Sequence, residues 1–263
     1  MTKLSSYLKT SLISITLLLA LACSPTAPAS IQPKNEVLVM GTIHSGHLTD
    51  SIYNIDLLTK LIKEINPDFI LAEIPPDRFD AAMEGFQRDD SISEPRVLRF
   101  PEYVDVVFPL TKTMDFEIIP TAGWTEIMAT ERRDKLIAIR NDPNRKDDWS
   151  AYVQANKLSD SLLKDRENDP YFIHTNEYDS LADIGLQMYN QLFNQELALG
   201  GWENINIAHY WNIHTALTTH RHKGKRFLVI YGSGHKGWFM RELRKREDIK
   251  LLEMKPFLDK VMN

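Results

Sequence analysis

The sequence predicts an α/β fold with a mostly parallel central sheet of about five strands and helices on both faces. Short apolar runs rich in valine, isoleucine and leucine recur along the chain without polar alternation, which is typical of strands buried on both faces. Segments with helical periodicity separate these runs, as they do in right-handed β-α-β units. Three of the runs lead into a glycine–histidine segment or a carboxylate, which predicts a site at one edge of the sheet.

The first β-α-β unit begins with a strand predicted over 36–40, where the apolar run has no polar interruption. A helix is predicted over 52–65 because its apolar residues recur at intervals of three and four, with Thr49 or Asp50 as the N-cap. The second strand is predicted over 69–74. It ends at a proline pair, which blocks its continuation and turns the chain at the sheet edge.

The later elements follow from the same periodicities. A mostly helical segment is predicted to reach about residue 108, and a third strand is predicted over 116–120. A helical insertion at about 125–217, with polar interruptions at 140–148 and 168–170, is predicted to cap the edge formed by the C-terminal ends of the strands. The predicted elements after it are a strand over 226–231, a helix over 238–246 and a last strand over 249–254.

Residues 1–22 are typical of a bacterial lipoprotein signal peptide. Lysines precede an apolar stretch over 12–21 that is short for a membrane span. The stretch leads into Leu-Ala-Leu-Ala before Cys23, which resembles a lipobox, and Cys23 is the only cysteine of the chain. The alternative is an ordinary signal peptide with an incidental cysteine. We expect a lipid on Cys23, a tether over 23–35 and one α/β domain over 36–263.

The charge balance restricts the class of partner. The chain has 36 acidic and 31 basic residues and a formal net charge of −5, which argues against nucleic acid as a partner. Ser24, after the predicted lipidation site, resembles the same position in outer-membrane lipoproteins of Gram-negative bacteria. We therefore expect membrane attachment through Cys23, a location on the outer membrane facing the periplasm, and a small molecule or a peptide as substrate.

Three polar side chains are predicted to meet at one edge of the sheet. His44 ends the segment Gly41-Thr42-Ile43-His44 after the first strand, and His235 ends Gly232-Ser233-Gly234-His235 after the fourth. Glu73 ends the second strand. Because the C-terminal ends of parallel strands lie along the same edge, we expect the three side chains to converge. Two imidazoles and a carboxylate suit a divalent metal ion or acid–base catalysis.

Two of these residues also have structural interpretations. His44, taken alone, is equally well explained as a loop histidine that caps the following helix. Glu73 requires a partner, because a carboxylate at the end of a buried strand is costly when it is unpaired. Arg78 is the predicted partner, either in a structural ion pair with Glu73 or as a contact for an anionic group of the substrate.

Further residues are candidates for substrate binding. Gly41 and Gly234 leave space for a ligand near the main chain, and backbone N–H groups of the second glycine segment could hold an oxyanion. Asn212 is interpreted either as a core group or as a site residue, whereas His209, on the same helix face, is interpreted as a satisfied core group. His47 could be a second ligand, but it is interpreted as exposed or as a supporting residue.

Together these motifs resemble a known family. Gly-Thr-x-His after the first strand, Glu73 with an arginine five residues later, and Gly-x-Gly-His after a late strand are similar to the TraB/PrgY/GumN and Tiki group. That group belongs to a superfamily that also contains erythromycin esterases and ChaN-like haem-binding lipoproteins. The stretch 211–258 resembles a TraB-related family of bacterial proteins still more closely. The matched family positions are His44, Glu73 and His235.

The resemblance implies an α/β fold and a metal-dependent hydrolase, either a peptidase or an esterase. It implies that His44, Glu73 and His235 hold a divalent ion such as Mn, Co or Zn; in a metal-free variant, His44 takes a proton from the attacking water. One position departs from the family, which carries Arg-Asn where this chain has Trp211-Asn212. The ChaN-like relatives support an alternative, a non-catalytic lipoprotein of the same fold that binds haem or a peptide.

Overall fold

Residues 32–263 are described by a computed structural model. The predicted signal peptide, the predicted lipidation site Cys23 and most of the predicted tether lie outside the described residues. Within residues 32–263, no helix combines the length and the apolar character that crossing a membrane requires.

The described part of the chain contains one central sheet in which every strand pair is parallel. Its strands are β1 (Asn35–Thr42), β2 (Phe69–Ala72), β3 (Glu117–Pro120), β4 (Arg226–Gly232) and β5 (Ile249–Leu251). They are arranged in the order β3-β2-β4-β1-β5. The predicted α/β fold with a parallel sheet of five strands is therefore confirmed.

Helices connect the strands and cover the sheet. They are α1 (Ile55–Ile65), α2 (Pro76–Asp89), α3 (Phe108–Leu110), α4 (Glu126–Asn141), α5 (Lys146–Leu163), α6 (Pro170–Ile173), α7 (Asn176–Phe193), α8 (Trp202–Thr219), α9 (Ser233–Leu243) and α10 (Lys255–Met262). A π-helical turn (Glu102–Val107) leads directly into α3. Helices α4 to α8 occupy the predicted helical insertion between β3 and β4.

The core lies on both faces of the sheet, because alternate side chains of a strand point to opposite sides. Leu38 and Met40 of β1 pack on the face covered by α1 and α10. Val37 and Val39 pack on the opposite face against α8 and α9. Burial on both faces explains why these strands read as continuous apolar runs in the sequence.

The start of α1 differs from the prediction. The N-cap is Asn54, whose side chain accepts a hydrogen bond from the backbone N–H of Leu57. Asp50, one of the two predicted caps, instead accepts from the backbone N–H groups of Ile52 and Tyr53 and stabilises the turn before the helix. Both are short polar side chains that bind nearby N–H groups, so composition alone does not distinguish them.

Helix α9 begins earlier than predicted, directly after β4. The glycine segment was expected to be a turn before a helix starting at residue 238, but it forms the first turn of α9 from Ser233. Close packing explains why a small residue is needed inside this helix, since a Cβ on Gly237 would lie 2.9 Å from Cγ of Asp179. As a result, His235 lies on a helix rather than in a loop, and its position is well defined.

Candidate active site

Three neighbouring strands place the predicted site residues at one edge of the sheet. β4 lies between β1 and β2, with Thr42 beside Gly232 and Ala72 beside Ile230. His44 and Glu73 follow the ends of β1 and β2, and His235 lies in the first turn after β4. The parallel order of the sheet therefore brings together three residues that are distant in sequence.

Glu73 is a buried carboxylate with one oxygen engaged and one available. Its side chain is 7% exposed, and Oε2 accepts a hydrogen bond of 2.9 Å from the backbone N–H of Gly232. Oε1 lies 3.9 Å from Nε2 of His235. Burial raises the pKa of Glu73 to about 7, although the charge on His44 and the Gly232 hydrogen bond act in the opposite direction. Glu73 can therefore gain or lose a proton near neutral pH.

His235 presents an unprotonated nitrogen towards Glu73. Its Nδ1 lies 2.7 Å from Oδ1 of Asn206, and the Asn206 amide nitrogen donates to the carbonyl oxygen of Trp202, which sets the orientation of the amide. Nδ1 of His235 must therefore carry the hydrogen, and Nε2 keeps its lone pair. Burial, together with the charge on His44, lowers the pKa of His235 to about 3, so this imidazole is neutral.

His44 adopts a backbone conformation that favours glycine, with φ of 50°. Its Nδ1 lies 2.7 Å from Oε1 of Glu102, and its Nε2 approaches Gly232 so closely that a Cβ there would lie 2.5 Å away. Burial alone would lower the pKa of His44, but the hydrogen bond and charge of Glu102 and the charge of Glu73 outweigh it and raise the pKa. His44 is therefore protonated more readily than a free imidazole, and the carboxylate of Glu102 lies beside it.

Glu102 is a site residue that the sequence analysis missed. It is 1% exposed, lies in the π-helical turn, and also accepts a hydrogen bond of 2.8 Å from Oγ1 of Thr42. Its second oxygen, Oε2, is buried and has no hydrogen-bond partner within residues 32–263. One feature of the sequence indicates this role: Glu102 lies in an apolar helical stretch (Tyr103, Val106, Val107), where a carboxylate needs a partner.

His209 is the second missed residue, and it is not the satisfied core group that was expected. This side chain of α8 is fully buried, and its Nδ1 accepts a hydrogen bond of 2.7 Å from the backbone N–H of Gly123. Its Nε2 is buried and lacks a partner within the described residues. Burial and the nearby His235 lower the pKa of His209 well below its usual value, so the ring is neutral.

Glu73, His209 and His235 form a buried group that could hold a metal ion, because each offers one ligand atom and these atoms lie within 4.8 Å of one another. His209, rather than the predicted His44, is the third member. The fit is uneven. Glu73 and His235 offer a carboxylate oxygen and a nitrogen lone pair, but the Gly123 N–H occupies the lone pair of His209 Nδ1, so the proton of the neutral ring is on Nε2. Coordination by all three residues requires the Gly123–His209 hydrogen bond to break.

The predicted ion pair between Arg78 and Glu73 is wrong. Arg78 lies 2.8 Å from Glu126, 3.3 Å from Asp77 and 4.0 Å from Glu94. The reason is that α2 begins at Pro76, so Arg78 lies in its first turn and points towards the start of α4. Glu73 therefore has His44, Gly232 and His235 as its surroundings instead of an arginine.

The other predicted substrate-binding residues have mainly structural contacts. Asn212 donates from its amide to the carbonyl oxygens of Thr121 and Ala122, at 3.2 and 3.4 Å, and thereby ties α8 to the segment after β3. The backbone N–H of Gly41 donates to Nε2 of His174 over 3.1 Å. Gly234 lies in the first turn of α9, where an added Cβ would make only ordinary contacts.

His47 is buried rather than exposed, and it has the supporting role that was the other expectation for it. Its Nδ1 lies 2.6 Å from the carbonyl oxygen of Tyr53, and its Nε2 accepts from the backbone N–H of Ile43. These two bonds fold the short 3₁₀ segment His44–Leu48 back onto the turn before α1. This arrangement helps to hold His44 in its left-handed conformation.

Comparison of the chain with models of protein families, with curated proteins and with solved structures finds no match. The resemblance to the TraB and Tiki group therefore stays a prediction from short motifs.

Proposed function

We propose that the protein is a hydrolase that activates a water molecule for attack on a peptide or ester carbonyl. One observation carries this proposal: two buried carboxylates, each close to a histidine, lie at the same sheet edge. Glu73 is 3.9 Å from His235, and Glu102 is 2.7 Å from His44. Buried carboxylates are costly, and a buried carboxyl group whose pKa is raised, as that of Glu73 is, is typical of catalytic sites.

The arrangement supports a division of labour between base and acid. Glu73 accepts a proton from the water through its free Oε1, while the water oxygen bonds to the carbonyl carbon. His44, protonated and held by Glu102, donates its proton to the leaving alkoxide or amine as the bond from that group to the carbonyl carbon breaks. The lone pair of His235 accepts the second hydrogen of the water and orients it.

A bound metal ion would occupy the Glu73 and His235 atoms that otherwise contact the water directly. Glu73 and His235 are the residues that would hold it, with His209 as a third after a local rearrangement. A divalent cation such as Mn, Co or Zn supplies Lewis-acid polarisation of the carbonyl when it is bound.

A cavity lies beside the elements that carry the site, but the site residues do not line it. This cavity of about 440 Å³ is lined in part by His174 and Lys236. His174 binds the backbone of Gly41, and Lys236 follows His235 in α9.

The proposal is tested by hydrolysis assays with the full-length chain. The substrates are p-nitrophenyl butyrate and a panel of quenched fluorescent peptides, each with added Mn, Co or Zn and with a chelator. We expect turnover that falls at least about a hundredfold in Glu73→Gln and His44→Ala. His214→Ala, which removes an exposed histidine of α8, should keep full activity. Absence of turnover under every condition contradicts the proposal, and a Soret band on haem addition in that case supports the ligand-binding alternative.

We also propose that a lipid on Cys23 attaches the enzyme to the outer membrane, facing the periplasm. Only the sequence supports this location: a lysine-flanked apolar stretch precedes the single cysteine. In a Gram-negative host, the full-length chain should incorporate labelled palmitate and sediment with outer membranes. Cys23→Ser should abolish both properties and Ser24→Ala should abolish neither.

A further inference from the structure

We propose that Glu73, His209 and His235 hold a single water molecule in the folded protein and do not form a divalent-metal centre. This inference deepens the proposed function, because the water held there is the nucleophile in the mechanism above. It rests on where the protons of two histidines lie and on the packing of the Gly123 segment.

The hydrogen bonds assign opposite protonation patterns to the two imidazoles. A backbone N–H can only donate, so Nδ1 of His209 must accept from Gly123, and its proton lies on Nε2. The carbonyl oxygen of the Asn206 side chain can only accept, so Nδ1 of His235 must donate and its Nε2 has a lone pair. His209 is thus a donor at its free nitrogen, and His235 is an acceptor.

The group therefore offers one donor and two acceptors, which is the complement of a water molecule. Nε2–H of His209 is buried and has no acceptor among residues 32–263, which is unfavourable. A water that accepts from His209 and donates to Oε1 of Glu73 and Nε2 of His235 satisfies all three atoms. A cation instead requires a lone pair from every ligand, and His209 offers none as it is bonded.

The spacing of the group lies between the values for a water and for a cation, so the positions of the histidine protons carry the inference. Nε2 of His235 and Oε1 of Glu73 are 3.9 Å apart, and the ligand atoms of the group lie within 4.8 Å of one another. Two partners of one tetrahedral water with bonds of about 2.8 Å lie about 4.6 Å apart. Two ligands of a tetrahedral cation with bonds of about 2.1 Å lie about 3.4 Å apart.

Local packing opposes the rearrangement that a metal would need. A Cβ on Gly123 would lie 2.5 Å from Cβ of Ala208, so the backbone here is pressed against α8. Asn212, further along α8, also binds the carbonyl oxygens of Thr121 and Ala122 just before Gly123. The Gly123 N–H therefore stays on His209 unless the whole segment moves away from the helix.

Nuclear magnetic resonance of the full-length chain with isotope-labelled histidine tests the proposal directly. Signals are assigned by their loss in His209→Gln and His235→Gln. At neutral pH we expect His209 with its proton on Nε2 and His235 with its proton on Nδ1, and one molar equivalent of Zn²⁺ should leave both spectra unchanged. His209 with its proton on Nδ1, or a zinc-induced shift of both rings, overturns the proposal.

A count of bound metal gives a second readout that does not depend on a histidine variant. After dialysis against Zn²⁺, Mn²⁺ or Co²⁺, the wild type and Glu73→Gln should retain the same amount of metal. One equivalent that is lost in Glu73→Gln but kept in His214→Gln overturns the proposal. Neither readout requires turnover, so an inactive protein would contradict the proposed function but not this inference. Hydrolysis that depends on a metal ion, together with one equivalent of metal that is lost in Glu73→Gln, would overturn this inference but not the proposed function.

Discussion

Oε1 of Glu102 lies 2.7 Å from Nδ1 of His44, although 58 residues separate the two in the chain. The contact places the hydrogen of the ring on Nδ1 when the imidazole is neutral and stabilises the imidazolium when it is protonated. Glu102 itself is held by Thr42, the last residue of β1. The orientation of His44 is therefore fixed by a helical turn and a strand end together.

Glu102→Gln removes the negative charge but can keep an oxygen beside Nδ1 of His44. Without that charge, burial should return the pKa of His44 to a lower value, and the acid in the mechanism weakens. We expect kcat to fall about 10- to 100-fold, the range typical of residues that orient a reacting group. The measurement is the pH profile of ester hydrolysis. Glu126→Gln, an exposed carboxylate, serves as the control, and an unchanged profile in Glu102→Gln refutes the role.

Gly232→Ala tests the close approach of His44 to the main chain. The added Cβ would lie 2.5 Å from Nε2 and 3.0 Å from Cε1 of His44, so the ring must move. We expect loss of most activity and a destabilisation of about 1–3 kcal/mol, as for other overpacked sites.

Gly234→Ala is the matched control for that variant. Its Cβ would meet Trp202 at 3.7 Å and Leu186 at 3.9 Å, which are ordinary contacts, and alanine favours the helix by up to about 1 kcal/mol. Urea unfolding and an ester assay measure both properties. Equal activity in the two variants would show that His44 does not need its present position.

The sequence was sufficient to predict the sheet and the convergence of His44, Glu73 and His235. Both follow from local rules: apolar runs without alternation indicate buried strands, and parallel strands align their C-terminal ends. No knowledge of helix packing was needed for these residues, because each lies within three residues of a strand end.

Glu102 and His209 could not be predicted in the same way. Each is carried by a helical segment whose rotation and position depend on packing against distant parts of the chain. The wrong partner for Glu73 has a related cause. Arg78 was assigned by its spacing through the proline pair, but α2 starts at the second proline and turns the arginine towards Glu126.

Asp68 should contribute to the pH dependence of stability. Although burial alone would raise the pKa of Asp68, hydrogen bonds from the backbone of Arg226 and from Lys225 lower it below the usual value. A lowered pKa in the folded state means that the stabilisation is present above the pKa of the unfolded chain and is lost as the pH falls through the folded value.

The test compares the midpoints of urea unfolding for the wild type and Asp68→Asn. The variant should be less stable at neutral pH, and the two proteins should converge in acid below the folded pKa of Asp68. Asp134→Asn, which alters an exposed carboxylate, should follow the wild type throughout. A difference between wild type and Asp68→Asn that persists unchanged in acid would show that the carboxylate charge is not responsible.

Lys236 and Asp179 line the cavity and form a buried ion pair, with Nζ 2.6 Å from Oδ1 and side chains that are 4% and 14% exposed. Burial lowers the pKa of Lys236 and raises that of Asp179, so each charge depends on the other. Asp179→Ala should therefore reduce the free energy of unfolding by about 3–5 kcal/mol, because it leaves a buried cation without its partner. The double variant Asp179→Ala with Lys236→Met should recover much of that loss in urea unfolding, since no unpaired charge remains. If the double variant is as unstable as Asp179→Ala alone, packing of Asp179 against Gly237 is the important contribution, and the ion pair is not.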